Sequence, residues 1–443
     1  MPAEPHITIV GGGFSGAAVA IHLLGLMPEG LRVTLLEPRT VPGAGVAYST
    51  AEPSHRINVP ASRMQLAGEE EGAFDRWYRS QPAFADDPQA RREDGSLYPQ
   101  RGQFGRYVSQ RFAEAVRTSG GRLVHLREQA LDFDESAITT DTGRRLQSDL
   151  LILAVSHPPP ALPRLAVPFH DHPALIANPW RADTLTPIAA DARVAVMGTG
   201  LTMADCIATL SRLGHRGPIT AFSRRGLLSR GNTGSAAAPW PGEYDQGSLR
   251  QRLRLVRADV LRAAEQGLPW QVVLDAVRQQ GQRIWQTLTF ADRQRFLRHL
   301  RRYWDVHRYR IAPQVAEVIE QRQREGSLKV LAARLTALES EARSLTLTLT
   351  LRKGERIALT VDRLILTTGP AHGGLIDSQP LLRELARRCL IRADKLGLGL
   401  DVDAHSRAIG REGRAIPNLL ISGPAARGYF GELMGLPQVD DHA

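Results

Sequence analysis

The chain has few of the residues that carry thiol or metal chemistry. It contains two cysteines, Cys206 and Cys389, which are far apart and form no CxxC pair. Its histidines have no cysteine or carboxylate partners at metal-ligand spacing, so we predict no metal site. These absences exclude the dithiol that a disulfide reductase needs and a zinc-type centre.

The chain also lacks long apolar runs and clustered charge. No stretch reaches about 18 consecutive apolar residues, so we expect a cytoplasmic protein without a membrane span or signal peptide. The net charge is +10, but the arginines are interleaved with acids and glutamines, without a basic tail or an aromatic RNA-binding strand. The predicted partners are therefore small molecules, with no nucleic acid and no membrane, and an oligomer stays possible.

Glycine, in contrast, is plentiful and marks a strand-to-helix turn near the N-terminus. The turn follows the apolar run 6–10, and glycines there allow close approach of the backbone to a pyrophosphate. Glu37 ends the second apolar run, where a carboxylate can accept both ribose hydroxyls of an unphosphorylated adenosine. A turn without a ligand is the alternative. The predicted cofactor contacts of the turn are Gly11, Gly13, Phe14, Ser15 and Gly16.

A second glycine turn lies in the middle of the chain and differs in chemistry. Met203 stands where a third glycine would be, so helix and strand should pack less closely there. The next strand pattern ends in Arg224 and Arg225 rather than an acid, and two guanidinium groups suit a 2′-phosphate. We therefore predict NADPH rather than NADH, with two solvated arginines as the alternative. The predicted contacts of this turn are Gly198, Gly200, Leu201 and Thr202.

The order of these patterns predicts an α/β protein with two Rossmann-like dinucleotide-binding domains and a helical insertion in the second. We expect residues 1–165 and 372–443 to form an FAD-binding domain. Residues 166–371 should form an NADPH-binding domain, with the helical insertion at about 242–326. Two nucleotide sites on one chain suggest electron transfer between a nicotinamide and a flavin.

A loop-rich stretch after Glu37 is predicted to return to the redox end of a bound flavin. Asn58 and Gln65 in this stretch are the candidates for catalysis, by orienting flavin and substrate. Either side chain could instead satisfy backbone groups of the loop, which is the alternative. The candidate cofactor contacts of the stretch are Gly45, Ala47, Tyr48, Asn58, Met64 and Gln65.

These blocks, in this order, resemble the flavoproteins with two dinucleotide-binding domains. Within them, the chain is similar to bacterial FAD/NAD(P)-binding proteins related to flavin-dependent amino-acid N-hydroxylases. The resemblance covers nearly the whole chain, from the first glycine turn through residues 296–308 to the turn at Gly423. It implies FAD and NADPH as cofactors, and it adds Arg101, Gly423 and Gly428 to the predicted cofactor contacts.

The resemblance implies a class B-like flavin monooxygenase. In such an enzyme NADPH reduces FAD, the reduced flavin takes up O2 as a C4a-hydroperoxide, and a small amine or amino acid is hydroxylated. Two other functions stay open: an NADPH-dependent reductase that passes electrons to a quinone or partner protein, and a non-catalytic nucleotide-sensing protein. Oxygen is the expected electron acceptor, because the resemblance to N-hydroxylases implies it and the chain offers neither a dithiol nor metal-ligand spacing.

Overall fold

The computed structural model describes residues 4–27, 29–66, 68–134, 136–155, 158–232, 238–370, 372–436 and 438–443. The strands are β1 (His6–Val10), β2 (Arg32–Leu36), β3 (Leu123–Leu126), β4 (Ala130–Asp134), β5 (Ala137–Thr140), β6 (Arg145–Gln147), β7 (Leu150–Leu153), β8 (Leu175–Ile176), β9 (Val194–Met197), β10 (Ile219–Ser223), β11 (Leu328–Glu341), β12 (Ser344–Leu351), β13 (Arg356–Val361), β14 (Arg363–Leu366), β15 (Arg407–Ile409) and β16 (Ala415–Ile421).

The helices are α1 (Phe14–Leu26), α2 (Ala73–Arg79), α3 (Pro82–Asp86), α4 (Arg101–Thr118), α5 (Leu201–Arg212), α6 (Leu249–Glu265), α7 (Gln271–Gln279), α8 (Gly281–Thr287), α9 (Phe290–Arg295), α10 (Arg301–Arg308), α11 (Pro313–Arg324), α12 (Pro380–Arg387), α13 (Arg427–Phe430) and α14 (Gln438–Asp441). A π-helical segment, Phe296–Leu300, joins α9 to α10.

The first sheet has six strands in the order β15-β16-β7-β1-β2-β3. Its neighbours pair in parallel, except that β15 is antiparallel to β16. Four of the five residues of β1 are buried, as expected for a strand covered on both faces. The chain runs from β1 outward to β2 and β3 and later returns to β7 on the other side. The carboxyl ends of β1 and β7 therefore form a topological switch point, where folds of this kind bind ligands.

The second sheet has seven strands in the order β13-β12-β11-β10-β9-β14-β8. Strands β8, β14, β9, β10 and the start of β11 pair in parallel, whereas β11, β12 and β13 continue as an antiparallel extension. Strand β9 lies between β10 and β14, so a second switch point follows its carboxyl end. A separate antiparallel sheet is formed by β4, β5 and β6.

The predicted fold class is confirmed, because two Rossmann-like α/β units follow one another and helices α6 to α11 lie between β10 and β11. The exact domain boundaries stay a prediction. The helical insertion does not pack on the second sheet alone. Helix α8 contacts α13, and the Arg278 side chain of α7 donates to the carbonyl oxygen of Leu436. The insertion therefore also covers the C-terminal segment that follows β16.

Two further findings concern the ranges that the structure describes. None of their helices is long and apolar enough to cross a membrane. They also contain no group of three or more His, Cys, Asp or Glu residues placed to hold a metal ion. Cys206 is buried in α5 and Cys389 is partly buried, and both are free thiols.

A buried ion pair joins the two units. The Arg101 guanidinium, at the start of α4, donates to both carboxylate oxygens of Asp205 in α5, at 2.8 and 3.0 Å. Its Nε and Nη2 also donate to the carbonyl oxygen of Arg56, at 3.2 and 3.1 Å. The Arg56 side chain in turn pairs with Asp87, and all four residues are buried. Two buried ion pairs are thus connected through one backbone carbonyl.

Other residues on the same face of α5 complete the contact between the two units. Asp205, Thr209 and Arg212 are spaced by four and three residues, which places them on the same side of a helix. The Arg212 guanidinium donates to both carboxylate oxygens of Glu52, at 2.6 and 2.8 Å. The Thr209 hydroxyl lies 3.2 Å from His55 Nε2. The two units are therefore held by paired polar groups, which specify their relative orientation.

We expect Asp205→Ala to lower the free energy of unfolding by about 3–5 kcal/mol, because it leaves the Arg101 guanidinium buried without its counter-ion. The matched control is Arg212→Ala, which breaks a half-exposed pair and should cost about 1 kcal/mol or less. Denaturant titration of both variants measures the difference. Equal losses in the two variants would show that the Arg101–Asp205 pair is no more important than the surface pair.

Candidate functional site

The carboxyl ends of β1, β7 and β16 meet at the first glycine turn. A Cβ atom on Gly11 would lie 2.7 Å from the carbonyl oxygen of Ala154, and the φ of Gly11 is +101°. A Cβ atom on Gly423 would lie 2.5 Å from Oγ of Ser15, and the φ of Gly423 is +77°. Both positions need glycine for reasons of space and of backbone conformation. Ser15 and Gly423, two predicted cofactor contacts from opposite ends of the chain, are therefore neighbours.

The N-terminus of α1 is suited to an anion. A Cβ atom on Gly16 would lie 1.9 Å from the carbonyl oxygen of Gly11, so only glycine allows this close packing of turn and helix. Gly13 is the N-cap of α1; no side chain among the described residues caps its N–H groups, and the first turn carries no acid. Free N–H groups and the positive end of the helix dipole favour a phosphate there. Gly45 brings the following loop against this turn, since its Cβ would be 3.2 Å from Gly13 Cα.

Glu37 lies after β2 with its carboxylate surrounded by N–H donors. Its Oε2 accepts from Gly12 N at 2.7 Å and from Arg39 Nη2 at 2.9 Å, and its Oε1 accepts from Arg39 N and Nε at 2.9 Å. Burial raises the pKa of Glu37, but the bonds from Arg39 and Gly12 outweigh burial and lower that pKa. A carboxylate has about four acceptor positions, so a ribose could bind Glu37 only in place of the Arg39 side chain.

Arg39 is a residue that the sequence reasoning missed. Its side chain is 46% exposed, so its ion pair with Glu37 is of the weak, solvent-screened kind. The signal was present in the sequence as an arginine two residues after the acid, where its own N–H and guanidinium can both reach the carboxylate.

Phe14 and Tyr48 belong to an aromatic cluster beside the turn. The Phe104 ring lies 5.9 Å from the Phe14 ring and 4.8 Å from the Tyr48 ring, measured between centroids. Burial raises the pKa of Tyr48 to about 12, which keeps its hydroxyl protonated at neutral pH. Ala47, also predicted to contact a cofactor, is exposed. The cluster holds the loop from Gly45 onward against α1.

The candidate catalytic loop has one buried acceptor without a partner. Oε1 of Gln65 is buried and accepts no hydrogen bond from the residues that the structure describes. Such an acceptor costs free energy unless a ligand or water donates to it. Met64 is 2% exposed and packs in the core. Asn58 is half-buried, and its backbone carbonyl accepts from the Asn232 side chain.

The remaining contacts implied by the resemblance lie at two different places. Arg101 is at the interface between the units, with its guanidinium on Asp205. Gly428 lies in α13, where a Cβ would be 2.7 Å from Asp394 Cγ, and its carbonyl accepts from Trp285 Nε1 at 3.0 Å. Contact of Arg101 or Gly428 with a cofactor therefore stays a prediction.

The second glycine turn has the same construction as the first. The φ of Gly198 is +123°, and a Cβ on it would lie 2.3 Å from Oγ1 of Thr367 at the end of β14. Gly200 is the N-cap of α5, and a Cβ placed on it would have no neighbour within 4 Å. Leu201 and Thr202 follow as the half-buried first residues of the helix. The helix N-terminus is thus open to an anion.

Arg224 and Arg225 are exposed at the end of β10 and line a cavity of about 700 Å³. No aspartate or glutamate is among the described residues that line it. Only two of the six arginines that line it follow from the sequence pattern, because the others come from separate parts of the chain. The additional basic residues are Arg298, His299 and Arg302 from the helical insertion, and Arg334 and Arg352 from the antiparallel extension.

Comparison with known proteins agrees with this geometry. Residues 8–158 match the sequence model of a family described as FAD-NAD(P)-binding. This segment includes the first glycine turn, Glu37 and the loop that carries Asn58 and Gln65. A sequence comparison with curated proteins gives no match.

Several solved structures are similar over almost the whole chain. An ornithine hydroxylase from Pseudomonas aeruginosa has 14% identity, a TM-score of 0.61, and an alignment that covers 99% of this chain and 96% of that one. The L-lysine 6-monooxygenase from Pseudomonas syringae has 17% identity and a TM-score of 0.60, with 98% and 97% covered.

A third similar structure is the ornithine N-hydroxylase of Kutzneria sp. 744, described with reduced FAD, NADP+ and L-ornithine. It has 14% identity and a TM-score of 0.60, with 99% of this chain and 95% of that one covered. At such identities the likeness establishes the fold. The chain therefore shares the fold of these ornithine and lysine hydroxylases over almost its whole length.

Proposed function

We propose that the protein is an FAD-dependent, NADPH-using monooxygenase that hydroxylates an amine or amino acid. The observation that carries the proposal is the pair of glycine turns, each at the switch point of its own parallel sheet. The whole-chain likeness to ornithine and lysine hydroxylases supports the same chemistry, as does the FAD-NAD(P)-binding family match.

The first unit fits FAD. Its pyrophosphate would lie at the uncapped N-terminus of α1, beside Gly11 and Gly13. Its adenosine ribose would take the place of the Arg39 guanidinium on Glu37. The Gln65 amide oxygen is a buried acceptor that a flavin or substrate N–H could use.

The second unit fits NADPH. The open N-terminus of α5 at Gly200 can take a pyrophosphate, and the arginine-lined cavity beyond β10 can take a 2′-phosphate. Six arginines line this cavity, and no acid is among the described residues that line it with them, which favours a phosphorylated ribose over a plain one.

Within this proposal the chain binds and orients the reactants, and FAD supplies hydride acceptance and O2 activation when bound. Asn58 and Gln65 would orient flavin and substrate. The packed interface between the units would exclude water. The other partners of the reaction are a small molecule and O2, in the cytoplasm, where NADPH is available.

Mixing the FAD-loaded protein with NADPH and air, over a panel of amines and amino acids, tests the function. One amine should raise NADPH oxidation, lower peroxide release in proportion, and appear as its hydroxylamine. Faster reoxidation by a quinone or a carrier protein than by O2 would identify a reductase instead. Flavin and NADPH binding with no electron transfer would indicate a nucleotide-sensing protein.

Glu37→Gln should weaken FAD binding by roughly tenfold to a hundredfold, because hydrogen bonds from the ribose to a charged acceptor are lost. Arg39→Ala should leave FAD affinity unchanged or raise it, since Arg39 competes with the ribose for the same oxygens. Flavin fluorescence titration measures both variants. If both variants lose affinity equally, the carboxylate serves only to hold Arg39.

Arg224→Ala combined with Arg225→Ala should raise KM for NADPH by roughly tenfold to a hundredfold and leave KM for NADH nearly unchanged. The matched control is Arg216→Ala with Arg343→Ala, which removes the same charge at exposed positions outside the cavity. Steady-state oxidation of both cofactors provides the comparison. Equal effects on NADPH and NADH would mean that Arg224 and Arg225 have a structural role.

A further inference from the structure

The helical insertion and the C-terminal segment enclose a second cavity, of about 790 Å³. Its size is in the range of sites that bind a complete small molecule. Leu261 and Tyr303 line it and are 67% and 47% exposed, so it opens to solvent on that side. Its walls are mainly apolar, with contributions from Leu253, Val256, Val277, Trp285, Leu300 and Trp304.

Two buried arginines at this cavity, Arg252 and Arg427, form no ion pair with a described acid. Arg252 donates to two carbonyl oxygens and a hydroxyl, whereas one of the acceptors of Arg427 is a thioether. Arg427 is 4% exposed, and among the described residues no acid forms an ion pair with it. Its Nε donates to the carbonyl oxygen of Leu398 at 2.9 Å, and its Nη1 meets the thioether sulfur of Met434 at 2.9 Å. A thioether is a weak acceptor, so Nη1 keeps most of its capacity to bind an anion.

The two carboxylates at the same cavity are already paired. Arg301 Nε lies 3.4 Å from Asp305, and Arg308 Nε donates to Glu432 at 2.6 Å. Burial lowers the pKa of Arg427, and the carboxylates of Asp305 and Asp394, which attract the Arg427 charge without forming an ion pair with it, offset only part of that effect. A ligand carboxylate that enters the cavity would therefore be the first acid to pair directly with Arg427.

We propose that this cavity binds an apolar molecule that carries a carboxylate, with the carboxylate on Arg427 and the apolar chain along α6, α7 and α10. A carboxylate would replace the Met434 sulfur and accept from the planar guanidinium. The ligand differs from a small polar amino acid because the walls offer it mainly hydrocarbon surface.

The position of Arg427 connects this cavity with the first unit. It follows Gly423 by four residues, and Gly423 packs on Ser15 at the first glycine turn. This step rests on the proposed function. In that function the ligand is the substrate, an apolar amine or amino acid whose carboxylate binds Arg427.

Binding is tested without FAD turnover, by following tryptophan fluorescence as decanoate is added to the purified full chain. Trp285 and Trp304 line the cavity and report its occupation. Decanoate should bind saturably and more tightly than butanoate, decanol or decylamine. Equal binding of decanoate, decanol and decylamine, or no saturable binding, would overturn the proposal.

Arg427→Gln should weaken decanoate binding by on the order of tenfold to a hundredfold and leave decanol binding unchanged. Because a substitution of a buried arginine can impair folding, Val256→Phe provides an independent variant that fills the cavity from α6. It should weaken decanoate binding by about tenfold, whereas Leu255→Phe, the matched change outside the cavity, should have no effect. If Val256→Phe leaves the affinity for decanoate unchanged, decanoate binds outside this cavity and the proposed site is wrong.

Measuring FAD binding and NADPH oxidation on the same samples separates this inference from the proposed function. Flavin binding and NADPH oxidation without decanoate binding would overturn only the ligand site. Decanoate binding that depends on Arg427, without flavin or NADPH oxidation, would overturn only the monooxygenase. If decanoate does not bind and Val256→Phe instead dissociates a dimer, the cavity is a contact between subunits and the ligand site fails.

Discussion

The buried Arg101–Asp205 pair is the interaction on which the geometry of both candidate sites depends. Asp205 lies in α5, whose N-terminus at Gly200 has no side-chain cap among the described residues. Arg101 begins α4, whose Phe104 packs on Phe14 beside the first glycine turn. The pair therefore links the helix that carries one site to the helix that supports the other. A charged pair with two hydrogen bonds tolerates little change of angle or distance, so it sets the orientation of the two units.

Local patterns in the sequence were enough to predict the two strand-to-helix turns. At the first turn, strand, glycines, helix and Glu37 are close in sequence, and the reason for each glycine is steric and visible in the structure. Gly11 and Gly198 are both in the left-handed region and both abut the next strand of their sheets. The fold class followed from these units because a right-handed β-α-β crossover leaves few alternatives.

What the sequence could not provide is which distant residues share a site. Arg101 was expected at a cofactor from the resemblance, but its structural partner is 104 residues away on another unit. The arginines that join Arg224 and Arg225 come from two other segments, and their common cavity depends on how the insertion packs. The same holds for the apolar cavity, which needs both the insertion and the segment after Gly423. Periodicity describes one element at a time and does not determine these contacts.

Part of the positive charge of the chain is concentrated at one place. Six arginines line the cavity beyond β10, where a solute can reach them, and the part of its lining that the structure describes contains no acid. Arg427 is a different case, because it is buried in the wall of the apolar cavity. At moderate salt, exposed arginines attract an anion over about 10 Å. A buried arginine interacts strongly only with an anion that is in direct contact with it. The two arginine sites therefore differ in how far their positive charge reaches into the solvent.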